Sequence, residues 1–145
     1  MRIKKFIETS AIFALCQTYD QVMGSFQKRL AVDGVHFVQA LILTGLFFED
    51  RPVQPSRLAE NLKASRSNIS HAIRDLERKS LIVRTTSPAD ARAYFIALTK
   101  AGRKLAPRLI KLLDTTQNQI EAAGGTEIVA NLASLVKMYH RPGQR

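Results

Sequence analysis

Between residues 3 and 30, apolar side chains fall at Ile3, Phe6/Ile7, Ile12, Leu15/Cys16, Tyr19, Val22/Met23, Phe26 and Leu30. Steps of three and four predict one long amphipathic helix, which Asp33-Gly34 then breaks. Leu41, Ile42, Leu46 and Phe47 predict a second, largely buried helix ending near Asp50-Arg51-Pro52. Pro55 suits the first turn of a third helix, because it lacks the N–H that a first turn leaves unpaired; Leu58, Ala59 and Leu62 point inward from it. Lys63-Ala64 is a short turn, and Ser65 caps a fourth helix with the inward stripe Ile69, Ile73 and Leu76. After Lys79-Ser80 the period changes to two. Residues 81–86 and 93–98 are short, β-branched and aromatic runs, separated by Ser87-Pro88-Ala89-Asp90-Ala91-Arg92, and they predict a hairpin. Thr99 caps a fifth helix carrying Leu105, Leu109, Leu112/Leu113, Thr116 and Ile120, which Gly124-Gly125 interrupts. A last helix spans about 127–139 with Ile128, Val129, Leu132, Leu135/Val136 and Tyr139 on one face. Residues 140–145 read as a frayed tail, and neither an internal repeat nor a low-complexity segment is present.

This order predicts a mainly α chain with a small two- to three-stranded β wing: a winged helix-turn-helix with N- and C-terminal dimerisation helices. Residues 34–104 form the DNA-binding region. Residues 1–33 and 105–145 form the helical dimerisation region, because each terminal helix has an apolar stripe that little else in the chain can cover. A monomer would expose those stripes as one large patch, so they are expected to bury each other in a homodimer.

Charge sharpens the picture by its placement. The net charge is +10, and residues 51–111 hold 14 Lys/Arg against 4 acids, while the remaining 84 residues hold 8 of each sign. The whole excess therefore lies in the middle of the chain, over the predicted wing and helix-turn-helix. A concentrated positive block releases counterions on meeting a polyanion, the main electrostatic drive for binding nucleic acid. A general solubility surface would be spread more evenly.

Other classes are excluded in turn. The one cysteine, Cys16, rules out an intramolecular disulfide framework, and no Cys/His cluster has zinc spacing. Glu8, Thr9 and Ser10 interrupt the apolar start, so it is not a secretory signal. The longest apolar stretch, 35–48, contains His36, Gln39, Thr44 and Gly45 and is too short to span a bilayer. The chain reads as soluble and cytoplasmic, with no membrane partner. No Ser–His–Asp pattern, paired carboxylates, phosphate-cradling glycine loop or metal set is visible, and His36, His71 and His140 lie on different elements. It reads as no enzyme, with no cofactor and no metal.

The fourth helix carries the chemistry. On a 3.6-residue wheel Ile69, Ala72, Ile73 and Leu76 face inward, while Ser67, His71, Arg74 and Arg78 lie opposite with Ser70 beside them. Small hydroxyls allow close approach to a major groove, and Arg pairs bidentately with guanine. Ser65-Arg66-Ser67-Asn68 forms the first turn, where outward N–H groups meet bases or phosphates in helix-turn-helix docking; Asn68 is lateral on the wheel. An ordinary solvated helix face would not need so many poor helix formers. On the wing tip, Asp90 precedes Arg92 by two residues and can hold the guanidinium extended toward a minor groove.

Here a resemblance becomes specific. Leu58-Ala59-Glu60, Arg66-Ser67, Ile69-Ser70, Ile73 and Leu76-Glu77, followed by Leu81-Ile82-Val83-Arg84, resemble the core of the MarR family of winged helix-turn-helix transcriptional regulators. The tip 87–92, then Ile96, Leu98-Thr99 and Gly102, resembles that family's wing and its entry to the fifth helix. The motif similarity covers about residues 38–105. The resemblance implies a homodimer, triangular in outline, that binds a pseudo-palindromic operator on double-stranded DNA, usually as a repressor. It also implies release by a small aromatic or phenolic effector. Carried over by position, the DNA contacts are Ser65, Arg66, Ser67, Asn68, Ser70, His71 and Arg74 on the helix, Asp90 and Arg92 on the wing, and Arg84 as a phosphate contact. Tyr19, His36, Phe37 and Phe47 suit either an effector pocket or the core. Two departures stand out: Ser80 replaces the usual glycine between reading helix and strand, and the wing has no basic residue beyond Arg92. Cys16 falls about one turn after the family's redox-sensing position, where Ile12 stands, and reads as a small buried or interfacial thiol. The alternative class is a winged-helix module that binds a protein partner without reading DNA; a flat salt response on generic duplex would favour it.

Overall fold

A serine hydroxyl splits the first predicted helix in two. In the computed structural model, which describes residues 2–86 and 94–139, α1 (Arg2–Thr9) stops where Ser10 turns extended (φ −86°, ψ 111°) and its Oγ accepts from the Phe13 amide at 3.4 Å. The chain restarts as α2 (Ala11–Ala31). The expectation of one helix over 3–30 is corrected here: the apolar spacing runs through the break, but Ser10 offers the backbone a cap instead of another turn.

The remaining elements follow the predicted order. They are α3 (Phe37–Glu49), α4 (Pro55–Asn61), α5 (Arg66–Arg78), β1 (Ile82–Thr86), β2 (Tyr94–Leu98), α6 (Lys100–Gly124) and α7 (Ile128–Tyr139). The strands pair antiparallel, from Ile82 opposite Leu98 to Thr86 opposite Tyr94. Val53 adds a one-residue bridge on the other side of β2, exchanging two 2.9 Å bonds with Ile96. The sheet thus has two strands and the stub of a third. The chain divides into two compact units, Met1–Leu109 and Ile110–Arg145.

In the first unit, Leu30, Val35, Ile42, Leu43, Leu46, Ile69, Ile73, Leu76, Ile96 and Leu109 are fully buried. Burial of side chains this size contributes about 1.5–3 kcal/mol each before entropy is counted. Helix α6 starts against the turn after α5. Thr99 Oγ1 accepts from the Gly102 amide (3.1 Å) and donates to the Ser80 carbonyl (2.7 Å). A Cβ on Gly102 would stand 2.0 Å from the Leu81 carbonyl oxygen, so only glycine fits there. In the second unit, Gly125 takes φ +77° to end α6, and no residue of α7 is buried.

Candidate nucleic-acid interface

The reading helix is held by turns at both ends. Helix α4 closes with the Lys63 amide on Glu60 O (3.2 Å) and the Ala64 amide on Ala59 O (3.0 Å), with Lys63 at φ +50°. This pair of hydrogen bonds around a left-handed residue makes the tight turn between the two helices. Ser65 then caps α5, its Oγ accepting from the Asn68 amide at 3.2 Å. At the far end the Ser80 amide bonds Glu77 O (2.9 Å) and the Leu81 amide bonds Leu76 O (3.0 Å), the same closure with Ser80 at φ +56°. The irregularity read from Ser80 is therefore a serine in the left-handed position that usually takes glycine.

Between these turns the wheel is as the sequence predicts. Ile69, Ala72, Ile73 and Leu76 are buried, and α5 packs on α3, α4 and β1. Ser65, Arg66, Ser67, Asn68, Ser70, His71 and Arg74 are all exposed, and no acid lies in the first turn of α5. The exposed face combines an electropositive helix start with small hydroxyls and an arginine, a composition able to approach phosphates and base edges. Arg74 is braced on its own helix: its guanidinium lies 3.1 Å from His71 Nδ1 and donates to Ser70 O at 3.4 Å. His71, Arg74, Asp75, Glu77 and Arg78 line an open groove of about 450 Å³.

The acids of α5 are engaged with bases at the edge of this face. Asp75 accepts from Arg78, and that hydrogen bond is the main cause holding its carboxyl below the usual value of 3.8; desolvation opposes it, and Arg78, Lys79 and His71 add attraction. Glu77 binds Arg84 through both oxygens, each at 3.0 Å, and the Arg84 guanidinium lies 4.0 Å from the centroid of Tyr94. The expected phosphate contact thus already ties β1 to α5, with two of its five N–H donors used. Asp90 and Arg92 lie outside the described residues.

Two residues of this region escaped sequence reasoning. Gln39, 2% exposed on α3, donates to Asp75 Oδ2 at 3.4 Å, and Lys79 reaches it from the end of α5 at 3.2 Å. The available signal was a glutamine inside the apolar run 35–48. Cys16 is exposed within this chain, which removes the buried half of the expectation of a buried or interfacial thiol and leaves the interfacial half untested. Tyr19 and His36 are exposed, while Phe37 and Phe47 are half-buried, Phe37 meeting Phe26 edge-on at 5.8 Å. Among the described residues, no group of three or more His, Cys, Asp or Glu could hold a metal ion, and no helix is long and apolar enough to cross a membrane.

Comparison with known proteins points the same way. Residues 35–102 match the winged helix DNA-binding domain family model. The HTH-type transcriptional regulator PrsX of Escherichia coli is 33% identical over 90 residues, 61% of this chain; the match spans about half (54%) of that relative's length. Among solved structures, the S. aureus MepR–DNA complex aligns with a TM-score of 0.77 at 22% identity, covering 90% of this chain and 96% of that one. The transcriptional repressor CouR bound to a 23-mer DNA duplex aligns at 0.74 and 25% identity, covering 94% and 96%. CouR from Rhodococcus jostii RHA1 has also been solved bound to p-coumaroyl-CoA, aligning at 0.73 and 20% identity over 96% and 97%. A MarR-family regulator from Rhodococcus sp. RHA1 aligns at 0.69 and 24% identity over 90% and 91%. Residues 35–102 are thus a winged-helix DNA-binding domain. The chain has the winged helix-turn-helix fold of MarR-family regulators.

Proposed function

We propose that this protein is a sequence-specific, duplex-DNA-binding transcriptional regulator, a repressor that binds a pseudo-palindromic operator as a homodimer. The observation that carries the reading is α5 itself. One face is fully buried, both ends are closed by specific turns, and the free face is built of Ser, Asn, His and Arg. In this reading Ser65 and Arg66 contact the backbone at the helix start. Ser67, Asn68, Ser70, His71 and Arg74 face the major groove, with Arg74 on a guanine. Arg84 donates its remaining N–H groups to a phosphate, and Asp90 and Arg92 belong to a wing that adds affinity in the minor groove. Regulation rather than catalysis is the role, and the cytoplasm is where such a protein meets its DNA.

The dimer is proposed from α1, α2 and α7, whose large apolar side chains stand in water: Phe6, Ile12, Leu15 and Tyr19 on the first two, Leu132, Leu135 and Val136 on the last. Stripes of this kind on a soluble chain mark an interface. The release signal is proposed to be a small aromatic or phenolic molecule, a chemistry supported by the p-coumaroyl-CoA bound to CouR.

Changing Arg74 to alanine tests the reading face. The ratio of operator to generic-duplex affinity should fall about 10- to 100-fold, the discrimination one bidentate base contact supplies. An unchanged ratio would show that Arg74 reads no base.

A further inference from the structure

A lysine at the end of a reading helix, inside the chain's basic block, would ordinarily be assigned to a phosphate. Lys79 is exposed, but its ammonium turns back onto the protein instead. Its Nζ donates to the Gly34 carbonyl at 2.5 Å and to Gln39 Oε1 at 3.2 Å. Gln39 Oε1 also accepts from the His36 amide at 3.1 Å, and its Nε2 donates to Asp75 Oδ2 at 3.4 Å. Both polar side-chain atoms of this buried glutamine are engaged, and their partners come from the end of α5 and from the turn between α2 and α3. That turn is itself fixed. Gly34 takes φ +65° and closes α2 with bonds to Ala31 O (3.0 Å) and, from Val35, to Leu30 O (3.3 Å). Arg108 of α6 holds the largely buried Asp33 at 3.0 Å.

We propose that Gln39 and Lys79 are positioning residues for DNA specificity, holding the roll of α5 to the α2–α3 turn. The proposal rests on the reading of α5 given above. The apolar contacts of Ile69, Ile73 and Leu76 are non-directional and tolerate a small roll of the helix. Hydrogen bonds are directional, and Gln39 and Lys79 supply them across 36 and 45 residues of sequence. Side chains reach about 5–6 Å from a helix axis, so a roll of about 10° moves their ends by about 1 Å. Bidentate pairing with a base edge tolerates about half that displacement. Binding to generic DNA depends on charge near phosphates and is indifferent to the roll. Lys79 therefore supports specificity without contacting the DNA.

The test compares full-length wild type with Lys79→Met, Lys79→Arg and Gln39→Met on a selected operator duplex and on a generic duplex, each over a salt series. Lys79→Met should lower operator affinity about tenfold while leaving generic affinity and its salt slope unchanged. Lys79→Arg, which can still donate inward, should restore most of the operator affinity. Gln39→Met, which alters no charge, should repeat the loss and keeps the test open if Lys79→Met folds poorly. A salt slope reduced by about one contact, with both duplexes weakened equally, would make Lys79 a phosphate ligand and overturn the proposal. An unchanged operator-to-generic ratio in Lys79→Met and Gln39→Met would overturn it too. A wild type that does not discriminate the duplexes would instead remove the specific-DNA reading beneath it.

Discussion

Helices α5 and α7 carry the same kind of pattern and meet different fates. On α5 the apolar stripe is buried to the last side chain, Ile73 and Leu76 at 0% exposure, against α3, α4 and β1. On α7 the stripe is just as regular, yet Leu135 is 43% exposed and nothing on the helix is buried. The first half of α2 behaves like α7, with Ile12 at 67% and Tyr19 at 63%. A hydrophobic stripe states that a partner exists without stating where it is. For α5 the partner lies within the chain, so the reading face is complete in one copy. The terminal helices have stripes whose cover, on our proposal, is a second copy.

The largest effect should come from attacking the outside partner. Leu135→Asp puts a charge on a face already in contact with water, so the fold of the chain should survive. The dimer should dissociate in sedimentation, and operator affinity should fall about 100-fold or more as binding of the two half-sites is uncoupled. Persistence of a tight dimer would place the interface elsewhere. A smaller effect of opposite sign should come from the inside partner. Ser80 sits at φ +56° in the closure of α5, a conformation that costs a non-glycine residue about 1 kcal/mol. Ser80→Gly should raise stability toward denaturant by up to about 1 kcal/mol, less the entropy glycine adds to the unfolded chain. It should leave the operator-to-generic ratio unchanged; a loss of stability would mean the serine side chain contributes more than its backbone costs.

What was legible in the sequence follows the same division. Ser65 as a cap, Pro55 at a helix start, the inward set Ile69-Ala72-Ile73-Leu76 and the switch to strands after Ser80 are all local signals, and each stands where it was expected. Thr99 was legible as a helix cap, and Gly102 only through a family resemblance. Their physical reason, a hydroxyl bridging to Ser80 O and a helix start against Leu81 O, needed three dimensions. The break at Ser10 was hidden because the apolar spacing continues through it. The roles of Gln39 and Lys79 were hidden because their partners are 36 to 45 residues away and no short-range pattern encodes them. The pairing of Glu77 with Arg84 spans seven residues and two elements, so the sequence offered Arg84 only as a phosphate contact carried over by resemblance, without its tie to α5.

The central claim, that two copies of a reading helix recognise a symmetric operator, is tested most directly by selecting binding sites from random duplex DNA with the full-length protein. The account predicts a single enriched sequence with two inverted half-sites, their centres separated by about one helical turn, roughly 10 base pairs, or a multiple of it. Enrichment of no sequence, or of a lone half-site without its inverted mate, would contradict it.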